Sequence, residues 1–244
     1  MEKSLNNPAF ETIGENIKVI KQNISDAAVK SGRKYEDIHF MAVTKTIDAQ
    51  RINYAISQNI SLIGENRVQE FLQKEPELNL TECKAHLIGH LQSNKAKKIV
   101  GKVNVIQSVD TVEIAKEISK HAANLGITQD ILLEVNVGNE WSKFGFDLSE
   151  IDEKIHEISL IDSIHIKGLM CVAPICDNER DLRNIFSIMY KKYVDIRDKK
   201  TDNVSMDILS MGMSGDYECA VEEGANLVRV GSAILGPRIY YDKH

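Results

Sequence analysis

Eight short apolar runs, each closed by polar or glycine residues and followed by a helix-like pattern, constrain this chain more than any other feature. The first is Phe40-Met41-Ala42-Val43-Thr44-Lys45-Thr46. The others are Ile60–Gly64, His86–Gly89, Val103–Gln107, Asp130–Val137, Ile164–Met170, Met206–Leu209 and Asn226–Val230. Runs of this length bounded by turn-formers read as buried strands. Between them the spacing of apolar residues changes to three and four. Asp48 is placed to cap a helix through Ser57, a second helix runs through Leu72 and breaks before Pro76, and a Lys- and Ile-rich helix follows Asn94. Thr111–Leu125 closes at Gly126, and Ser149 is placed as the cap of the next helix. Asn178–Arg197 carries the stripe Leu182, Ile185, Phe186 and Met189, and Asp216–Glu223 stops at Gly224. One further helix precedes the first strand, from about Pro8 to Lys30, with Ile13, Ile17, Ile20 and Ile24 on one face and Gly32 beyond its end.

Strands alternating with helices imply a parallel sheet. Eight such units in ~250 residues is the usual size of a TIM barrel. The expected fold is therefore α/β: a single-domain TIM (β/α)8 barrel over residues 1–244, with an extra N-terminal helix. A doubly wound open sheet is the alternative, because spacing alone does not prove closure. No GxGxxG follows the first strand, which counts against a dinucleotide fold. A hydrophobic content of 43% supplies one sizeable core, and no composition shift or linker divides it.

Charge and targeting signals narrow the function. A net charge of -6 argues against a nucleic-acid partner, and Lys95-Ala96-Lys97-Lys98 reads as a solvated helix face. No apolar segment approaches the ~20 residues that span a bilayer, so no membrane partner is expected. Met1–Asn7 has no signal-peptide core, and the expected location is the cytoplasm. Cys83, Cys171, Cys176 and Cys219 show no CxxC spacing, and His86 and His90 lack the glutamate of HExxH. Free thiols and no metal are the reading.

The chemistry lies where a barrel places it, at the C-terminal ends of the strands. Those ends carry Lys45, Asn66, His90, Asp110, Asn136, Met170, the Ser210–Asp216 loop and Arg229–Ser232. Alternation puts Lys45 on the same face as Met41 and Val43, toward the interior. A desolvated lysine has a lowered pKa and is an amine nucleophile. Taken alone, Lys45 reads more readily as a strand-end lysine in water; the other strand ends change that balance. Ser210-Met211-Gly212-Met213-Ser214-Gly215-Asp216 and Arg229-Val230-Gly231-Ser232 combine glycines for close approach with hydroxyls, after strands seven and eight, where barrel enzymes often bind phosphate. Each glycine singly reads as a tight turn; two such turns on adjacent strands point to a phosphate. An amine beside a phosphate cup fits pyridoxal 5'-phosphate (PLP). An imine-forming aldolase acting on a sugar phosphate is the alternative.

Ala42–Thr46, Gly64-Glu65-Asn66, His86–Lys95, Ser142-Lys143-Phe144-Gly145, Gly168-Leu169-Met170, Ser210–Asp216 and Arg229–Gly236 occur in one order over nearly the whole chain. In these the chain resembles the pyridoxal-phosphate homeostasis proteins, which are similar to the barrel domain of bacterial alanine racemase without its second β domain. The resemblance implies that Lys45 carries PLP as an internal imine, and that Ser214, Gly215, Gly231 and Ser232 hold the phosphate. It also implies that Arg229 lies against the pyridine nitrogen and that Asn66 and Met170 line the pocket. Departures from the family pattern are Ala85, where tryptophan is frequent, Trp141 in a loop of small or acidic residues, and Ser232 for a frequent threonine. Lys143 reads as a solvated loop charge in preference to a rim lysine that touches ligands. The implied function is PLP homeostasis: a monomer that holds the cofactor and controls its supply to PLP-dependent apo-enzymes. The alternative is a racemase-like PLP enzyme. Alanine racemase needs a tyrosine from its extra domain, and a chain ending at His244, with Tyr240 and Tyr241 in the tail, is expected to lack one.

Overall fold

The computed structural model describes residues 8–138, 144–176 and 178–235. Nine strands and nine α-helices are present among them. The strands are β1 (His39–Val43), β2 (Leu62–Glu65), β3 (Lys84–Leu87), β4 (Val105–Val109), β5 (Gln129–Asn136), β6 (Phe146–Asp147), β7 (Ile164–Met170), β8 (Val204–Ser210) and β9 (Leu227–Val230). The helices are α1 (Pro8–Lys30), α2 (Ala49–Ser57), α3 (Val68–Lys74), α4 (Ser93–Ile99), α5 (Val112–Leu125), α6 (Ile151–Ser159), α7 (Glu179–Lys199), α8 (Tyr217–Glu222) and α9 (Ser232–Leu235). The sheet runs β4-β3-β2-β1-β9-β8-β7-β5, and β4 also pairs with β5. All pairings are parallel. The sheet is thus a closed eight-stranded barrel, and the open-sheet alternative is excluded.

The expected period sorts the side chains. Phe40 and Ala42 pack outward with the helical shell, whereas Met41 joins Leu62 and Leu227 inside the barrel. A second interior cluster holds Val105, Leu132 and Met170. Asp48 caps α2, its carboxylate accepting from the Arg51 N–H, and Thr111 and Asn178 cap α5 and α7 in the same way. Gly126 closes α5 with φ 64°. Ser149 does not cap α6: Glu150 holds that position, and the Ser149 N–H and hydroxyl both bond the Asp147 carboxylate. Asp147 belongs to β6, a two-residue strand beside β5 that alternation over so short a span did not signal.

The N-terminal helix packs against α8 and α9 on the outside of the barrel. Ile13, Ile17, Ile20 and Ile24 of α1 are buried, as their spacing requires. Asn16 Nδ2 donates to the Ile234 carbonyl (3.1 Å), tying α1 to α9. Arg33, just beyond α1, donates to the Ala225 carbonyl (2.8 Å), before β9. No helix of the described residues is long and apolar enough to cross a membrane.

Candidate functional site

At the C-terminal mouth of the barrel lies a cavity of about 300 Å³. That is the lower end of the usual range for small-molecule pockets, ~300–1,000 Å³. Lys45, Asn66, Ser214, Gly215, Arg229, Gly231 and Ser232 line it, joined by Val43, Ile47, Ile88, Val172, Met213 and Leu235. The strand-end residues singled out from the sequence thus converge, except Met170, His90, Asp110 and Asn136, the last of which ends β5 opposite Asp147 of β6. Met170 is not on the wall; it is packed in the interior with Val105 and Leu132, and Val172, two residues on, faces the cavity. His90 and Asp110 pair with each other instead (2.7 Å), and the His90 ring stacks on Phe144 with centroids 3.8 Å apart. Trp141, Lys143 and Gly236 lie outside the described residues. Of the apolar wall residues only Val43 lies in a strand, and these residues carried no chemical signal in the sequence.

Two loops form one end of the cavity. Gly212 takes φ +90°, and a Cβ there would meet the Ala220 Cβ at 2.5 Å, so this turn needs glycine. At Gly231 an added Cβ would lie 3.2 Å from Val43 Cβ and 3.4 Å from the Val43 carbonyl oxygen. The Gly231 N–H donates to Ser214 Oγ (3.0 Å), which joins the two loops directly. Gly215 has nothing within 4 Å of where a Cβ would stand. The backbone is therefore open to a ligand between two serine hydroxyls.

Arg229 projects from β9 with only 4% of its surface exposed. It donates to Ser210 Oγ (2.7 Å) and to the Cys171 carbonyl (2.8 Å). Because arginine only donates, the Ser210 hydroxyl must send its proton onward, to Gln107 Oε1 (2.7 Å). The Gln107 amide then donates to His86 Nδ1 (2.8 Å), which fixes the neutral Nε2–H tautomer of that imidazole. Burial, reinforced by the Lys84 charge, pulls His86 down to about 3. Burial also lowers the Arg229 pKa, while Glu134 and Asp216 oppose that shift. On β5 the Glu134 carboxyl is pushed up to about 7, first by burial and then by the Asp110 charge, with Arg229 opposing.

Lys45 follows β1, and the polar cluster beside it was not legible in the sequence. Lys74, at the end of α3, donates to the Thr44 carbonyl (2.9 Å), Glu65 Oε1 (2.8 Å) and Glu70 Oε1 (2.7 Å). The Thr44 hydroxyl also donates to Glu65 Oε1 (2.8 Å). Burial raises the Glu65 pKa against the opposing Lys74 charge. A glutamate closing an apolar strand, and a Glu–Lys pair four apart on α3, are the only sequence traces of this cluster.

The cavity carries the features a phosphorylated aldehyde needs. Asn66 Oδ1 on its wall is buried without a hydrogen-bond partner, an acceptor that a ligand can satisfy. Gly231 and Gly215 admit close backbone approach, and Lys45 and Arg229 offset an anion. These residues fit PLP.

Comparison with known proteins agrees. Residues 15–238 match the family described as "Alanine racemase, N-terminal domain". The chain is 36% identical over 228 residues to the pyridoxal phosphate homeostasis protein of Aquifex aeolicus, covering 93% of this chain and 98% of that one. It is 33% identical over 235 residues to the protein of the same name from Escherichia coli K12, covering 95% and 99%. PipY of Synechococcus elongatus PCC7942, solved with PLP bound, superposes with a TM-score of 0.80 at 29% identity, covering 92% of this chain and 100% of that one.

Proposed function

Because the chain belongs to the pyridoxal phosphate homeostasis protein family, built on the alanine racemase N-terminal domain, we propose that it binds PLP and controls its supply to other enzymes. The observation that carries this reading is one cavity uniting a strand-end amine, two serine hydroxyls at open glycine backbone, and a buried arginine. PLP brings an aldehyde that condenses with an amine, forming a C=N bond and releasing one water, and a phosphate that anchors it. Lys45 is the amine. Ser214 and Ser232 hydroxyls with the Gly215 and Gly231 amides take the phosphate. Arg229 faces the ring nitrogen and, since it does not give up its proton, keeps that nitrogen unprotonated. Asn66 lines the ring. Met170 acts from beneath, supporting the floor of the cavity rather than touching the ligand.

The carrier role is favoured over racemase-like turnover by the composition of the wall. Among its described residues there is no Tyr, His, Cys, Asp or Glu that could serve as a second acid–base group opposite Lys45. Losing one such group typically costs ~10²–10⁴ in rate. The whole function sits in one barrel domain that acts as a cytoplasmic monomer, passing PLP to apo-enzymes. The test is borohydride reduction of the PLP-loaded protein followed by peptide mass spectrometry. A fixed adduct on Lys45, absent in Lys45→Ala, is the expected result. An adduct found only on another lysine overturns the assignment.

A further inference from the structure

Both peptide neighbours of Lys45 are held by a cluster that never enters the cavity. On one side, the Thr44 carbonyl accepts from Lys74 Nζ at 2.9 Å, and the Thr44 hydroxyl donates to Glu65 at 2.8 Å. On the other side, the Thr46 N–H donates to Glu70 Oε1. Thr46 itself sits at φ +64°, a left-handed conformation that a β-branched residue adopts only when its surroundings impose it. One ammonium ties the two sides together, since Lys74 donates to Glu65 Oε1 and Glu70 Oε1 as well as to Thr44. Its three N–H groups match these three acceptors. The side chains of Lys74 and Glu65 are 14% and 1% exposed, so solvent screens this cluster little.

We infer that Lys74, Glu65 and Glu70 are positioning residues that clamp the backbone on either side of Lys45 and set the path of its side chain into the cavity. The reason is geometric. Lys45 lies two residues past the end of β1, in a turn where the Thr44 N–H still bonds the Gly64 carbonyl (3.0 Å) and the Ile47 N–H bonds the Thr44 carbonyl (3.1 Å). A flexible four-carbon stem on a loose backbone would sample many directions, whereas condensation needs the amine at one approach to the aldehyde. The clamp adds charge-assisted bonds to these backbone ones. This inference rests on the PLP reading for what Lys45 attacks. The clamp, however, is a property of the chain alone.

The test separates attachment from binding. PLP presents the aldehyde, while pyridoxine 5'-phosphate keeps the ring and phosphate but lacks it. Attachment rate is followed by absorbance and confirmed by borohydride trapping at Lys45, and affinity for pyridoxine 5'-phosphate is measured by calorimetry. Glu70→Ala and Lys74→Met should slow attachment about tenfold or more, as misplaced reacting groups do, with affinity for pyridoxine 5'-phosphate unchanged. Glu70→Gln keeps an acceptor for the Thr46 N–H and should restore most of the rate. Lys74→Met leaves Glu65 buried without its cation and can unfold the protein; Glu70, 20% exposed, then carries the test. Attachment at the wild-type rate in Glu70→Ala overturns the clamp. A parallel fall in attachment and analogue affinity overturns it too, since that marks general structural damage. A wild-type chain that attaches no PLP at Lys45 overturns the functional reading itself and is seen before any variant is made.

Discussion

Replacing Ser214 by alanine tests the phosphate cup, and the structure sets the size of the effect. Ser214 Oγ accepts from the Gly231 N–H at 3.0 Å. Phosphate binding exchanges that internal bond for separate bonds from the hydroxyl and the amide to the anion. A hydrogen bond to a charged group contributes ~1.5–3 kcal/mol, and an ordinary one ~0.5–1.5 kcal/mol. The variant loses the first kind in the complex but also no longer breaks the second kind on binding. The net loss is about 1–2 kcal/mol, or roughly 5- to 30-fold in Kd. Pyridoxine 5'-phosphate, titrated by calorimetry, isolates this effect from the covalent step. Adding Gly231→Val should weaken binding further, because a Cβ there already lies 3.2 Å from Val43 Cβ and the remaining methyls must crowd the cup. An unchanged Kd in the Ser214→Ala, Gly231→Val double variant refutes the site.

Three further outcomes are expected. Gln107→Leu leaves the Ser210 O–H without an acceptor, though Arg229 still donates to its oxygen, and leaves His86 Nδ1 without a donor. At ~1–3 kcal/mol each, and ~2–4 °C of Tm per kcal/mol, calorimetry should show Tm falling by about 4–24 °C. The pH dependence of stability should show two opposed contributions. Glu134, raised to about 7, binds its proton more tightly in the folded state, so its contribution is full below about 4.5 and is lost as pH rises through about 7. His86, lowered to about 3, contributes above its unfolded value near 6.5 and loses that contribution as pH falls toward 3. Chemical denaturation of Glu134→Gln between pH 5 and 8 should lose the first trend and keep the second; a profile identical to wild type would show that Glu134 does not titrate in this window. Finally, PLP-loaded protein incubated with L-amino acids should form no D-enantiomer or keto acid at ordinary enzyme rates of ~1–10³ per second. Lys45-dependent turnover in that range would replace the carrier reading by the racemase-like one.

Much of this protein is written locally. The period of two in Phe40–Val43 and of three to four in Ile13–Ile24 decides which faces are buried, and Asp48, Thr111, Asn178 and Gly126 mark helix ends through bonds to residues only a few positions away. Such signals survive in sequence because their partners are neighbours. The alternation of eight strands with helices likewise required a parallel sheet, and placing polar and glycine residues at the strand ends identified Lys45, Asn66, Ser214, Gly215, Arg229, Gly231 and Ser232 as a set. Closure itself came from the β4–β5 pairing, which no local pattern encodes. Closure then decided which strand-end residues share the cavity and which, like Met170, point into the packed interior. The relay Arg229–Ser210–Gln107–His86 draws on four strands, and the clamp around Lys45 joins residues up to 30 positions apart. Glu65, Glu70 and Lys74 look like an ordinary solvated charge set along the chain. Only the fold takes them largely out of water, and a charge taken out of water must find partners, so burial gathers three scattered residues into one cluster on the backbone either side of Lys45.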